Sequence, residues 1–174
     1  MTTIPPVINF PKWLDENQHL LQPPVNNKQI FEMSEDFIVM IVGGPNVRYD
    51  FHYEPYEEWF YQVKGNMHVN IQTEEGLKRI DIREGEMWLL PGNTSHSPQR
   101  PEEGSIGIVV ERVRKPGTLE KFQWFCTNCN HKVYEAEVQL NSIEDDMPPL
   151  FAAFHEDLEA RTCSECGTVH PGKG

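Results

Sequence analysis

The spacing of apolar positions changes along the chain. In residues 10–21, Trp13, Leu14, Leu20 and Leu21 share one side of a helical wheel. Pro11 sits near the start and Asp15 and Glu16 lie in the early turns, so the pattern predicts a short helix. The stretch QPPVNNKQ then reads as a loop. From about residue 30 to 113 the period shortens: Met67, Val69 and Ile71 alternate with polar residues, as do Ile80 and Ile82. Phe37 to Val42, Met87 to Leu90 and Ile106 to Val110 are short apolar runs. Gly43-Gly44-Pro45 stops the first run, and Gly65-Asn66, Glu75-Gly76, Glu84-Gly85 and Pro91-Gly92 supply turns. Many short strands at this spacing predict an all-β sandwich or barrel. Beyond Pro116-Gly117 a cysteine-bearing segment, 122–140, precedes a predicted helix over 149–160 with Leu150, Phe151, Phe154 and Leu158 on one side.

Length and charge narrow this picture. A chain of 174 residues suits one domain with a small appendage and excludes two full-sized enzyme domains. With 15 basic against 27 acidic side chains the net charge is −12, which repels phosphate backbones and anionic lipid. No nucleic-acid partner and no membrane partner are therefore expected. MTTIPPVINF carries no basic region followed by an apolar run, and the apolar stretch from Phe37 to Val42 is far short of the ~18–20 residues that span a bilayer. The expectation is a cytoplasmic protein.

All four cysteines fall in two Cys-x-x-Cys pairs, Cys126/Cys129 and Cys163/Cys166. Without an export signal, such pairs point to a metal site rather than a disulfide framework. Four thiolates enclose one ion tetrahedrally, as Zn(II) or as a rubredoxin-like Fe. Gly167 and Asn130, each following a second cysteine, suit the left-handed backbone that such knuckles use. The alternative is free thiols or two separate disulfides.

His52, Glu58 and His96 lie on or near predicted strand ends. Two neutral imidazoles and one carboxylate form the facial triad that holds non-haem Fe(II) with open positions beside it. Each residue alone has an ordinary alternative, a solvated histidine or a charged strand end. Glu111 lies in the apolar run VVERV, where an isolated charge is expensive unless it faces a site or solvent. Val25, Val42, Phe60 and Pro98 serve equally as cavity walls or as core.

Glu58, Gly65, Gly85, Pro91 and His96 together resemble the two signature motifs of the cupin barrels, with Asp50 in the place of the usual first histidine. That leaves three protein ligands. The longer strings IVGGPNVRYDFH (41–52), EEWFYQVKGNM (57–67), LLPGNTSHSPQRP (89–101) and VVER (109–112), with the QPPVNNK loop (22–28), resemble the 3-hydroxyanthranilate 3,4-dioxygenase family, bacterial type. The resemblance implies a cupin (jelly-roll) barrel with a few short helices over residues 1–115. It also implies a C-terminal extension, 116–174, that carries the four-cysteine site and packs on the same domain.

The same resemblance implies catalytic Fe(II) on His52, Glu58 and His96, and a second metal, Fe or Zn, on Cys126, Cys129, Cys163 and Cys166. It makes Arg100 the partner of the substrate carboxylate and Glu111 a substrate contact that accepts the phenolic proton. Glu58 also touches substrate, and Arg48 stabilises charge at the oxygen position. The implied reaction opens the ring of an aromatic amino acid–phenol with both atoms of O2. Its product, 2-amino-3-carboxymuconate semialdehyde, closes to quinolinate, a precursor of NAD in the kynurenine pathway. A homodimer is implied as well. Two other readings keep the cupin site: a dioxygenase of another small thiol, diketone or aromatic acid, and a non-catalytic binding cupin or metal sensor.

Overall fold

The alternation between residues 30 and 113 folds into two antiparallel sheets. The computed structural model describes residues 4–23, 26–140 and 143–173, so Val25 lies outside the described residues. The strands are β1 Asn27–Ile30, β2 Phe37–Gly43, β3 Asp50–Tyr53, β4 Glu58–Lys64, β5 Met67–Thr73, β6 Gly76–Ile82, β7 Met87–Leu90, β8 His96–Gln99, β9 Ile106–Arg112, β10 Glu120–Phe125 and β11 Lys132–Val138. One sheet runs β1-β2-β9-β4-β7 and the other β11-β10-β3-β8-β5-β6. The eight strands β2 to β9 form two four-stranded sets, β2-β9-β4-β7 and β3-β8-β5-β6, the order of a double Greek key, which is the jelly roll of the cupins.

Inward-facing positions follow the two-residue period. Along β4, Glu58, Phe60 and Gln62 are buried and their neighbours less so, and along β9 the buried set is Gly107, Val109 and Glu111. Phe60, Val109 and Val42 pack with Met67, Val69, Ile82 and Leu90 as the barrel core. Val42 and Phe60 are thus core residues. The charged members of the same strand faces stand beside that core.

The N-terminal helix α1, Phe10–Asn17, is capped by the Asn9 side chain and runs into a 3-10 turn, Gln18–Leu21. Of the four apolar residues expected on one face, Leu21 is buried and Leu20 is exposed. Leu21 lies so close to Gly43 that a Cβ there would collide with the Leu21 carbonyl oxygen.

The cysteine-bearing segment is a β-hairpin, an element the sequence pattern did not reveal. β10 pairs with β3, setting Phe122 opposite His52, and β11 pairs with β10. The six-stranded barrel sheet therefore continues past residue 115. Helix α2 spans Ile143–His155, starting before the predicted 149 and enclosing Pro148 and Pro149. It stops at His155 because Asp157 caps a separate turn, α3 Leu158–Arg161, by accepting from the Glu159 and Ala160 amides. Leu158, expected on the packed side, is 59% exposed. Phe154 of α2 stacks on fully buried Trp124 of β10 at 4.5 Å, in a second core with Phe122 and Leu140.

Candidate active site

β3 and β8 place His52 and His96 directly opposite each other, with ring centroids 5.5 Å apart. Glu58, first residue of β4, brings Oε2 to 2.9 Å from His96 Nε2. His96 Nδ1 lies 2.9 Å from the Thr94 carbonyl, a contact that requires a proton on Nδ1. Nε2 and the Glu58 carboxylate thus face each other across a gap that a second ring proton or a metal cation between them would satisfy. Burial would raise the Glu58 carboxyl, but His96, His52 and Arg100 outweigh it and hold the group below its ordinary range. Burial keeps His52 neutral, as a metal ligand must be.

His52 does not turn Nε2 toward Glu58. That nitrogen lies 2.6 Å from Glu120 Oε2, and the ring stacks on Phe122 at 5.0 Å. Ligand atoms of His52, Glu54 and Glu120 all lie within 4.8 Å of one another. The structure thus brings Glu58 and His96 into contact and sets His52 beside them, with a second carboxylate pair on its other side.

Four buried carboxylates, Glu54, Glu58, Glu111 and Glu120, influence one another's ionisation. Burial and then the Glu111 charge push the Glu54 carboxyl up to about 9, and among the described residues neither of its oxygens has a hydrogen-bond partner. Burial and the Glu58 charge push Glu111 up to about 7, against the pull of Arg114. Arg114 bridges two of the four: Nε lies 2.5 Å from Glu120 and Nη2 3.3 Å from Glu111. Such a surplus of negative charge in a low-dielectric interior suits a divalent cation.

Arg48 pairs with Asp50 through Nε and Nη2, and its backbone exchanges hydrogen bonds with the Gln99 amide. A cavity of about 780 Å³ reaches Arg48 and Asp50 beside Phe151 and His155 of α2. Arg100 is 4% exposed, and its Nε and Nη2 have no partner among the described residues. Burial lowers this guanidinium to about 10, Glu58 opposing and Arg48 adding to the fall. A buried cation with an open fork suits an incoming carboxylate.

The two cysteine pairs form matching knuckles. In the first, the Cys126 amide donates to the His131 carbonyl and the Asn130 amide to the Cys126 carbonyl; in the second, Cys163 and Gly167 make the same bonds to Thr168 and Cys163. Asn130 and Gly167 have φ of 62° and 72°, the left-handed backbone expected for them. Cys126 and Cys166 sulfurs lie 3.5 Å apart and those of Cys129 and Cys163 3.6 Å. Disulfides need ~2.05 Å, whereas a tetrahedron of ~2.3 Å metal–sulfur bonds has edges of ~3.8 Å. The spacing suits four thiolates around one ion.

A profile of the 3-hydroxyanthranilic acid dioxygenase family matches residues 1–155. The chain belongs to that family. It is 50% identical over 173 residues to a 3-hydroxyanthranilate 3,4-dioxygenase of Paraburkholderia phytofirmans, covering 99% of each chain. A relative of the same name from Brucella anthropi is 52% identical over 167 residues, covering 95% of this chain and 91% of the relative. Among solved structures, protein NMB1881 of Neisseria meningitidis overlaps 62% of this chain and all of its own at 24% identity, with a TM-score of 0.48.

Glu54, Glu120 and Arg114 were not singled out from the sequence. Glu54 was within reach, since it lies two residues beyond His52 and so shares its strand face. Glu120 and Arg114 come into play only through the pairing of β10 with β3.

These two ligand clusters generate one prediction. Metal analysis should find about two ions per chain, one in each cluster. Cys126→Ser should lose one ion and melt at lower temperature, and Glu58→Gln should lose the other while Glu54→Gln keeps it. Loss in Glu54→Gln alone would move the second ion to the His52, Glu54 and Glu120 set.

Proposed function

We propose that this chain opens the ring of 3-hydroxyanthranilate with dioxygen, giving 2-amino-3-carboxymuconate semialdehyde, which closes to quinolinate. The observation that carries the reading is the open fork of Arg100, buried with a His–Glu ligand set that suits a divalent ion. Such a pairing suits a substrate that presents a carboxylate at one edge and metal-chelating groups at another. His52, Glu58 and His96 would hold Fe(II), which supplies open coordination positions and the electron transfer between ring and dioxygen. The four cysteines would hold Fe, or Zn, as a clip for the C-terminal segment.

The protein's own groups divide the remaining work. Arg100 pairs the substrate carboxylate and orients the ring. Glu111 takes the phenolic proton, and Arg114 keeps it ionisable near neutral pH. Glu58 borders the substrate. Arg48, steadied by Asp50, stabilises the negative charge that develops on oxygen. Phe60 and Val42 keep water from the interior.

Oxygen uptake by the Fe(II)-loaded protein with 3-hydroxyanthranilate should match ring-opened product one to one, and His96→Ala should abolish both. Absence of uptake by folded, iron-loaded protein would overturn the substrate assignment.

The Glu111 carboxyl sets the pH dependence. Its raised position means the proton-accepting form is lost as pH falls through about 7, and a nearby divalent ion moves that loss to lower pH. kcat/KM should therefore show an acid limb at or below about 7 that disappears in Glu111→Gln.

The homodimer reading has support in the outer face of the five-stranded sheet. Leu89, Trp59, Val110 and Val39 form one cross-strand row, and Met87, Tyr61 and Ile108 the next. Met87 is 64% and Leu89 50% exposed, so this apolar face is uncovered in a single chain. Met87→Glu with Leu89→Glu should convert a dimer to a monomer in sedimentation analysis. Among the described residues no helix is long and apolar enough to cross a membrane, and the paired thiols suit the reducing cytoplasm.

A further inference from the structure

Two polar groups of the barrel interior border Gly107, each without a partner among the described residues. Gln62 is fully buried and donates Nε2–H to the Lys64 carbonyl at 3.0 Å, which fixes its amide so that Oε1 points the other way. Among the described residues that Oε1 accepts from none, and the nearby Nε–H of Arg100 donates to none. They flank one point in space. A Cβ on Gly107, the residue opposite Gln62 in the β4–β9 register, would fall 2.8 Å from Gln62 Oε1 and 3.6 Å from Arg100 Nε. The gap between acceptor and donor is open because residue 107 has no side chain.

A buried acceptor and a buried charged donor, each unpaired, are both costly, and pairing them relieves both. A guanidinium has two usable edges, and an acceptor on Nε leaves the terminal nitrogens free. We propose that Gln62 is the positioning residue for Arg100. When substrate binds, its Oε1 takes the Nε–H across the space above Gly107 and so presents the terminal nitrogens of Arg100 to the substrate's carboxylate. Gln62 thereby sets specificity for the acid over the same ring without it. The inference rests on the reading of Arg100 as the carboxylate anchor.

The test compares two ligands that share the chelating amino and hydroxyl groups: 3-hydroxyanthranilate, and 2-aminophenol, which lacks the carboxylate. Dissociation constants are measured by titration of the iron-loaded protein under anaerobic conditions, so that binding is read without turnover. Gln62→Met should weaken the acid by about tenfold and change 2-aminophenol by less than about twofold. Gly107→Ala, whose methyl group would wedge the pair apart, should show the same selectivity without altering either polar side chain. In Arg100→Ala the acid should already be weakened, and adding Gln62→Met should cost nothing further.

Equal weakening of both ligands would make Gln62 merely structural and overturn the proposal, as would unchanged acid binding. If Arg100→Ala itself fails to distinguish the two ligands, the anchor reading falls first. An intact Arg100 effect with no Gln62 effect sinks only the present inference.

Discussion

Buried charge is the constraint around which this molecule is arranged. A jelly roll of this size ordinarily fills its interior with apolar side chains, and here Phe60, Val69, Ile82 and Val109 do so. Beside them stand Glu58 and Glu111, on the same faces of β4 and β9, with His96 and Arg100 from β8 and its end, all below a tenth exposed. Carboxylates outnumber the cations that can neutralise them, and Glu54 and Glu111 respond by holding protons well above the usual carboxylate range. Such an interior suits a bound cation, and the surrounding hydrogen bonds fix where the groups that could hold one stand.

The strand period allows core and chemistry to share one cavity. On β4, Glu58, Phe60 and Gln62 point inward in succession, as do Gly107, Val109 and Glu111 on the neighbouring β9. One element thus offers a ligand, a core residue and a polar group to the same interior. Rigidity follows from the arrangement: the site's side chains stand on paired strands, where register leaves them little freedom to drift.

This arrangement explains how far the sequence could be read. Strands with apolar and polar positions in strict alternation, such as Met67–Ile71, announce themselves, as do the glycine turns at 65, 76 and 85, each of which adopts positive φ. His52, Glu58 and His96 are visible because glycines and prolines fix their spacing. β10 is harder to see, since its inward positions, Glu120, Phe122 and Trp124, begin with a fully buried carboxylate. That carboxylate is tolerated through His52, 68 residues earlier, and through Arg114. No local pattern records such a partnership. Helix α2 was misjudged for a similar reason: Pro148 and Pro149 resemble a helix start, while packing of Phe154 against Trp124 sustains the helix around them.

The placement of β10 also governs when the molecule becomes competent. Every barrel strand from β2 to β9 precedes residue 113, yet the wall behind His52 consists of Glu120 and Phe122. Synthesis runs from the N-terminus at ~5–20 residues per second, and earlier segments begin to fold while later ones are still being made. A nascent chain that has just completed β9 holds all three imidazole and carboxylate groups of the proposed triad, but one histidine is still unsupported and the cavity unsealed. The hairpin that completes it carries one cysteine knuckle, and the second, with Cys163 and Cys166, is made later still, Cys163 lying 34 residues beyond Cys129. Competence thus waits on segments beyond the strands that carry the ligands: the triad is made before the elements that hold it in order.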